Sequence, residues 1–293
     1  MTLDPIATLE LTRWTGPFDD ATRAKAQDAL ESGKVLYFPK LPFTVGNSEN
    51  VLLTDALSNG RAKNISRDPD GKIQGDAAAP EESARLSLLM GRFAEHARAL
   101  VLALFPGYAG GIEQARTSYR RSRSRGGPIR RATTTSGCTS MPSRRGRSAD
   151  GASCACSPTS IRWAASASGM SASRSRTSPN ATRRAREKPL PLEPWLFELL
   201  GVTKGRRSDY DYLMLGLHDG AKLDADYQRN APQIEFAFPA RTTWMCFTDQ
   251  AMHAALKGQF ALEQTFHLPV ESLAHPERAP LKVLERMVGR ALA

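Results

Sequence analysis

The stretch QIEFAFPARTTWMCFTDQAMHAALKGQFALEQTFHLP, residues 233–269, decides the predicted fold. It contains three short runs rich in aromatic and β-branched residues, which a Pro239-centred turn and a polar loop at 248–250 separate. Runs of this length and composition, set so close together, are typical of antiparallel strands. We therefore predict an α+β protein whose core is a cupin-like jelly-roll, or double-stranded β-helix.

Helical patterns come before these strands. Asp19 or Asp20 is a suitable N-cap for a helix that ends near Gly33, and VLYFP at 35–39 predicts a strand directly after it. A longer helix is predicted over 80–104, because a proline opens it and apolar residues recur at every third or fourth position. We expect both helices to flank the jelly-roll on its N-terminal side.

Two further elements are predicted in the second half of the chain. YDYLMLGLH, residues 210–218, predicts a strand with its tyrosines on one face. LKVLERMVGRAL, residues 281–292, predicts an amphipathic helix that carries Lys282, Arg286 and Arg290 at a four-residue spacing. That basic face is either a solvated helix surface or a surface that lies on a membrane.

The net charge of +10 belongs to one segment, residues 121–184. This segment contains 13 arginines, 15 serines and a single acid, Asp150, and it has no lysine, leucine, valine, phenylalanine or tyrosine. Its own net charge is +12, so the rest of the chain carries −2. Such a composition builds no hydrophobic core, and we expect the segment to be irregular or disordered. It separates an N-terminal part, 1–120, with the helices and first strands, from a C-terminal part, 185–293, with the later strands.

Length and composition exclude several classes of protein. A chain of 293 residues that is 41% hydrophobic buries a core without disulfides. No apolar run reaches the about 18 residues that span a bilayer, and the first residues lack a signal-peptide pattern, so we expect a cytoplasmic protein. Cys138, Cys154 and Cys156 have no second Cys or His pair at zinc spacing, and Cys246 is expected to be a buried thiol.

Six stretches outside residues 121–184 carry a more specific pattern. They are GKVLYFPKLPF at 33–43, LSNGRAKNISRDP at 57–69, GRRSDYDYLMLGLHD at 205–219, DADYQRNAPQ at 224–233, TTWMCFTDQAMHAALKGQF at 242–260 and LEQTFHLP at 262–269. Together they resemble the bacterial Kdo hydroxylases. The resemblance covers about residues 30–120 and about residue 189 to the C-terminus.

The resemblance implies an Fe(II)- and 2-oxoglutarate-dependent dioxygenase. Such an enzyme hydroxylates the 3-deoxy-D-manno-octulosonic acid (Kdo) sugar of the lipopolysaccharide inner core, on a lipid A precursor at the cytoplasmic face of the inner membrane. The family fold implied is a double-stranded β-helix that holds iron through His-x-Asp on one strand and a second histidine much later. Two imidazoles and one carboxylate leave adjacent positions open for cosubstrate and O2. The second histidine corresponds to His253.

The His-x-Asp pair that the resemblance implies is absent, because residues 121–184 contain no histidine. This segment is about as long as the family sequence that it displaces, which indicates replacement and not insertion. In the neighbouring reading frame, codons 138–144 are able to encode Leu-His-Val-Asp-Ala-Phe-Pro, which places the missing pair near Cys138 and Met141. Codons 153–160 are able to encode Ile-Leu-Arg-Val-Phe-Thr-Asn-Ile, an apolar strand. We therefore hypothesise that residues 121–184 are translated out of frame and that iron binding and activity are impaired.

Cosubstrate binding is expected on the strand that follows the distal histidine. The superfamily usually places a basic residue there to pair with the far carboxylate of 2-oxoglutarate. The strand FALEQTFHL, residues 260–268, has no arginine, so the candidates are Gln264, His267 and, from elsewhere in the chain, Arg241. For each of these three residues a structural role is the alternative.

Four residues are candidates for contact with the carboxylate and hydroxyls of the sugar. They are Arg206, Arg207, Tyr210 and Tyr212. The alternative for the two arginines is a solvated turn in GRRS.

Two other function classes stay open for the chain. One is a non-catalytic, degenerate jelly-roll that binds no iron. The other is a basic protein that binds polyanions through residues 121–184, with an affinity that falls as salt rises. Trp163 is the one aromatic residue in that segment, so base stacking is not supported and no specific nucleic acid is expected.

Overall fold

The structure is a computed structural model, and it describes residues 4–60, 64–120, 151–159, 167–171, 173–174, 208–230, 234–252 and 260–292. Two helices near the N-terminus, α1 (Asp20–Glu31) and α2 (Pro80–Leu104), confirm the prediction of flanking helices. The Asp19 side chain accepts a hydrogen bond from the Thr22 amide and caps α1. Further along are α3 (Asp209–Leu223), α4 (Ala225–Asn230) and α5 (Pro280–Val288).

The strands are described here in chain order. Those before residue 121 are β1 (Ile6–Thr8), β2 (Val35–Phe38), β3 (Asn64–Arg67), β4 (Ile73–Gln74) and β5 (Glu113–Arg120). Those after it are β6 (Gly151–Thr159), β7 (Ala167–Ser171), β8 (Ser173–Arg174), β9 (Glu235–Phe238), β10 (Thr242–Phe247), β11 (Ala251–Met252) and β12 (Ala261–Pro269). The predicted strands at 35–39, 233–238, 243–247 and 259–268 are confirmed as β2, β9, β10 and β12.

The largest sheet has eight strands in the order β1-β2-β10-β6-β12-β5-β3-β4, and its pairs are antiparallel except β1 with β2. Two small antiparallel sheets pair β11 with β8 and β7 with β9. The fold is therefore a mixture of helices and mainly antiparallel sheets.

One face of the large sheet packs against the helices. In β12 the buried residues alternate, and Leu262, Phe266 and Leu268 share one core cluster with the apolar side of α2. Because successive side chains of a strand point to opposite faces, the intervening residues of β12 lie on the face turned away from α2. We call these two faces the helix face and the far face.

The prediction of a strand at 210–218 is wrong, because these residues lie in α3. Ser208 caps the helix: its hydroxyl accepts from the Asp211 amide, and the Asp211 carboxylate accepts from the Ser208 amide. Tyr210 and Leu213 are buried and three residues apart, so the apolar residues follow a helical period and not the alternation of a strand.

The prediction that residues 121–184 are irregular or disordered is wrong for three stretches, because β6, β7 and β8 lie within that segment. β6 lies in the middle of the large sheet, antiparallel to both β10 and β12. Strand pairing uses backbone N–H and C=O groups, which serine, alanine and cysteine supply as well as valine does. A stretch that is poor in core-forming side chains, such as β6, therefore still pairs as a strand between β10 and β12.

Among the helices within the described ranges, none is long and apolar enough to cross a membrane.

Candidate active-site face

The far face of the large sheet has an apolar half on β2 and β10. Val35, Tyr37, Trp244 and Cys246 are buried there in a second hydrophobic cluster. This cluster also contains residues of the small sheets, Phe236 and Phe238 on β9 and Ala251 on β11. Cys246 is a buried free thiol, as predicted. The small sheets therefore pack on this half of the far face, and β11 ends at Met252, directly before His253 in the chain.

The other half of the far face, on β3, β5 and β12, is polar. Residue pairs across these strands align Ser66 with Ser118 and Ser118 with Glu263. On β3 with Asp68, on β5 from Arg116 to Arg120 and on β12 from Glu263 to His267, every second residue is polar and half-buried. We call this set the polar face: Asn64, Ser66, Asp68, Arg116, Ser118, Arg120, Glu263, Thr265 and His267.

Two ion pairs cross the strands of the polar face. Arg116 Nε lies 2.6 Å from Asp68 Oδ1, and Arg120 Nε lies 2.7 Å from Glu263 Oε2. The two carboxylate side chains are only 13% and 17% exposed, so water screens these pairs less than it screens surface pairs. The polar face thus holds two oriented guanidinium groups beside half-buried carboxylates.

The structure places Gln264 on the helix face, and the other predicted cosubstrate contacts lie elsewhere. The carboxamide oxygen of Gln264 accepts from the Thr117 hydroxyl at 2.6 Å. Its nitrogen donates to the carbonyls of Ala115 and Thr265 at 3.1 and 2.6 Å, so the group is fully hydrogen-bonded inside the core. His267 is half-buried on the polar face, where the backbones of Glu113 and Ser153 flank it. Gln264 and His267 therefore do not share a face.

Arg241 lies in the turn between β9 and β10. It is exposed, and its φ of 63° is in the left-handed region. Among the described contacts, Arg241 touches neither Gln264 nor His267.

Tyr210 is buried, and its hydroxyl donates to Asp249 Oδ2 at 3.0 Å. Burial raises the pKa of the Asp249 carboxyl to about 7, an effect that the Tyr210 hydrogen bond partly offsets. Burial, followed by the nearby Asp249 charge, also raises the pKa of Tyr210. The pair joins α3 to the turn between β10 and β11. The role of Tyr210 in sugar binding stays a prediction, since its hydroxyl is directed at Asp249.

Less is described of the other predicted sugar contacts and of the predicted iron ligand. Tyr212 is half-buried on α3. Arg206, Arg207 and His253 lie outside the described residues. The predicted location of the displaced ligand pair, Cys138 to Met141, also lies outside them.

The residues present do not fit an iron site with two histidines and one carboxylate. Within the described ranges, no group of three or more His, Cys, Asp or Glu side chains is placed to hold a metal ion. His96 Nδ1 is 2.8 Å from the Arg92 carbonyl, and its ring packs edge-on against Trp14 and Phe43. The full sequence contains five histidines and no His-x-Asp. His253 is therefore left without the partner pair that the chemistry requires.

Sequence reasoning missed Arg116 and Arg120. The signal was available in EQARTSYR, residues 113–120, where buried Thr117 and Tyr119 alternate with the polar residues of the far face. The pairing of this strand with β12, about 150 residues later, was not readable from the sequence.

The family-model comparison and the comparison with solved structures lead to the same family. The family model for 3-deoxy-D-manno-oct-2-ulosonic acid (Kdo) hydroxylase matches residues 13–291. Crystal structures of the Kdo hydroxylase KdoO, a non-heme Fe(II) α-ketoglutarate-dependent dioxygenase, are similar to nearly the whole chain. The complex with succinate and Fe(III) is 36% identical, with 99% of this chain and 97% of that chain covered and a TM-score of 0.86. The complex with α-ketoglutarate and Fe(III) is 35% identical, with 99% and 98% covered and a TM-score of 0.85. Among curated proteins, none matches the chain.

Proposed function

We propose, from the fact that this chain belongs to the Kdo hydroxylase family, that its activity is iron- and 2-oxoglutarate-dependent hydroxylation of the Kdo sugar of lipopolysaccharide. The observation that carries this proposal is the family match over residues 13–291. The KdoO structures contain Fe(III), cobalt(II), succinate or α-ketoglutarate, which supports the requirement for iron and 2-oxoglutarate.

The fold proposed is a double-stranded β-helix. In the large sheet, β12 lies between β5 and β6, and β6 lies between β12 and β10, so strands far apart in the chain are neighbours. The small sheets lie on the far face and share a hydrophobic cluster with it. This arrangement of two layers with long crossovers supports the jelly-roll.

The substrate proposed is a Kdo-bearing lipid A precursor, met at the cytoplasmic face of the inner membrane. The exposed apolar side chains of α5 support peripheral contact, since Val283 and Met287 are 37% and 40% exposed at a four-residue spacing. Of the three basic residues predicted here, Lys282 pairs with Glu285 and Arg290 pairs with Asp209. Attraction of the helix to anionic lipid therefore rests mainly on Arg286.

The chain with residues 121–184 in their present reading frame is proposed to bind iron poorly and to turn over no substrate. When bound, iron would supply the oxidising centre of the reaction, and His253 would be one of its ligands. The other two ligands are missing from the sequence. For this chain as it stands, a non-catalytic jelly-roll is therefore the favoured alternative.

The register of β6 supports the hypothesis of a displaced reading frame. Position 154 lies opposite Phe247 and Phe266, and position 156 lies opposite Met245 and Gln264; all four partners are buried on the helix face. With a suitable choice of synonymous bases, the neighbouring frame is able to encode leucine at position 154 and valine at position 156. The apolar residues that this frame is able to encode thus fall at positions paired with buried residues of β10 and β12.

The test uses a frame-restored chain, in which residues 121–184 are replaced by the neighbouring-frame translation of the same bases. We expect it to form succinate from 2-oxoglutarate when given a Kdo-bearing lipid A precursor. The control acceptor is the same lipid without Kdo, with which we expect succinate only at the background rate. Equal succinate formation with both acceptors would contradict the proposed substrate.

A further inference from the structure

A β-bulge interrupts the pairing of β5 with β12. The register shifts by one residue, so that Ala115 and Arg116 together lie opposite the single residue Thr265. A bulge of this kind leaves one residue outside the ladder of backbone hydrogen bonds and redirects the side chain beside it. Bulges are frequent next to functional sites, and this one presents Arg116 on the polar face.

The buried carboxamide of Gln264 holds this bulge from the helix face. Its nitrogen donates to the carbonyl of Ala115 at 3.1 Å and to that of Thr265 at 2.6 Å. Its oxygen accepts from the Thr117 hydroxyl at 2.6 Å. An apolar residue at this core position would lose all three hydrogen bonds, which is destabilising. Gln264 therefore fixes the residue before Arg116 and the residue after it.

On the polar face, Arg116 belongs to a chain of hydrogen bonds that joins β5, the end of β3 and β4. Its Nε donates to Asp68 Oδ1 at 2.6 Å, and Asp68 Oδ2 accepts from the Gln74 amide at 3.0 Å. Gln74 lies opposite Ser66, so it is on the same face of the sheet. The Arg116 side chain is 39% exposed, and among the described residues its terminal nitrogens make no hydrogen bond. These N–H groups are therefore open to a ligand.

The groups of this cluster suit sugar hydroxyls better than a further carboxylate. Asp68 neutralises Arg116, so the pair offers no excess positive charge to an anion. A hydroxyl both donates and accepts hydrogen bonds, and here the guanidinium donates while the Asp68 carboxylate accepts. Ser66 and Ser118 are aligned with each other, half-buried on the same face, and add two hydroxyls. The cluster thus matches several neighbouring hydroxyls of one ligand.

We propose that Arg116, held by Asp68, binds hydroxyl groups of the sugar substrate, and that Gln264 positions Arg116 through the bulge. The inference rests on the proposed function, which supplies a sugar as the substrate. It gives Gln264 a role other than contact with 2-oxoglutarate, because the carboxamide is buried on the helix face and acts through the backbone of β5.

The test measures binding of free Kdo to the full-length chain by saturation-transfer NMR in metal-free buffer. We expect Arg116→Gln, which keeps a donor for Asp68, to weaken binding about 10-fold or more. Arg67→Gln is the matched control: Arg67 is on neighbouring β3 but bonds to Ser87 of α2 on the helix face, so binding should not change. The control ligand is 2-oxoglutarate, which has carboxylates and no hydroxyl, and Arg116→Gln should leave its binding as in the unchanged chain.

A double-mutant cycle tests the role of Gln264. We expect Gln264→Leu to weaken Kdo binding by itself and to have little further effect in the presence of Arg116→Gln, because Gln264 acts through Arg116. A merely structural role would weaken binding by the same factor in both backgrounds. If far-UV circular dichroism shows that Gln264→Leu does not fold, Thr117→Val, which removes one hydrogen bond to the carboxamide, completes the same cycle with an expected effect of about threefold.

The outcomes keep this inference separate from the proposed function. Absence of Kdo binding, equal binding of Kdo by Arg116→Gln, or an equal loss of 2-oxoglutarate binding would overturn the contact between Arg116 and the sugar. Equal factors in both backgrounds of the cycle would overturn the positioning role of Gln264. The proposed function fails by a different readout, Kdo-independent succinate formation by the frame-restored chain.

Discussion

We expect the purified chain to take up no stoichiometric cobalt(II), whereas the frame-restored chain takes up one equivalent. The reason is the ligand count: a single histidine, His253, does not hold a divalent transition metal against water, and no His-x-Asp exists elsewhere in the sequence. Loss of two ligands of three should weaken affinity more than the about 10–100-fold that is typical when only a supporting hydrogen bond is lost. The absorption of bound cobalt(II) in a titration measures this difference.

Two controls make the metal titration decisive. His253→Ala in the frame-restored chain should lose the cobalt(II) spectrum, which would show that His253 is a ligand. Far-UV circular dichroism of every variant should show that loss of metal binding is not loss of fold. Stoichiometric cobalt(II) uptake by the unchanged chain, together with substrate-dependent succinate formation, would refute the account of its missing site.

We expect the contribution of Asp249 to the stability of the chain to fall as pH rises from about 4 to about 7, because its carboxyl titrates in this range. Burial raises the pKa of this carboxyl from 3.8 to about 7, so the folded state binds a proton that the unfolded state has released within this window. The contribution of Asp249 to the free energy of unfolding is fully present below about pH 4 and is lost as pH rises through about 7. A shift of about three units corresponds to about 4 kcal/mol at most. Because Asp249 is half-buried, water partly screens its charge, and we expect a contribution of about 1–3 kcal/mol to the free energy of unfolding.

Asp249→Asn tests this prediction. The amide oxygen of asparagine still accepts the hydrogen bond from Tyr210, but the side chain no longer ionises. We expect the variant to be more stable than the unchanged chain at pH 8 and to lose most of the difference at pH 4, as measured by urea unfolding at both values. Asp226→Asn, at an exposed aspartate of α4, is the control and should leave the pH dependence as it was. An unchanged pH profile for Asp249→Asn would contradict the prediction.

Elements with one dominant pattern were predictable from the sequence. The β-branched and aromatic runs of β2 and β10, and the three-to-four spacing of α2, each allow one interpretation. The sequence of α3 also fits a strand, because its tyrosines and leucines alternate, whereas the capping box of Ser208 and Asp211 favours a helix that begins at Asp209. β6 gave no side-chain signal, because its place depends on backbone pairing with β10 and β12.

The candidate site was less predictable than the fold. A family resemblance predicted His253 as an iron ligand and showed that the sequence lacks its partner pair, but it did not predict Arg120. The polar face joins three strands that begin near residues 64, 113 and 261, and only the register shows that they are neighbours. Gln264 is a candidate because its strand contains no arginine, yet the one-residue alternation of a strand places it on the helix face.

The most direct measurement for the central claim is the nucleotide sequence of codons 115–190. If this chain is a Kdo hydroxylase whose iron ligands are displaced from the reading frame, the bases of codons 138–144 read His-Val-Asp in the neighbouring frame. The same frame should give the apolar strand at codons 153–160. If the bases of these codons give no His-x-Asp in that frame, the claim is contradicted. The chain would then be a family member in which this segment never encoded the iron ligands.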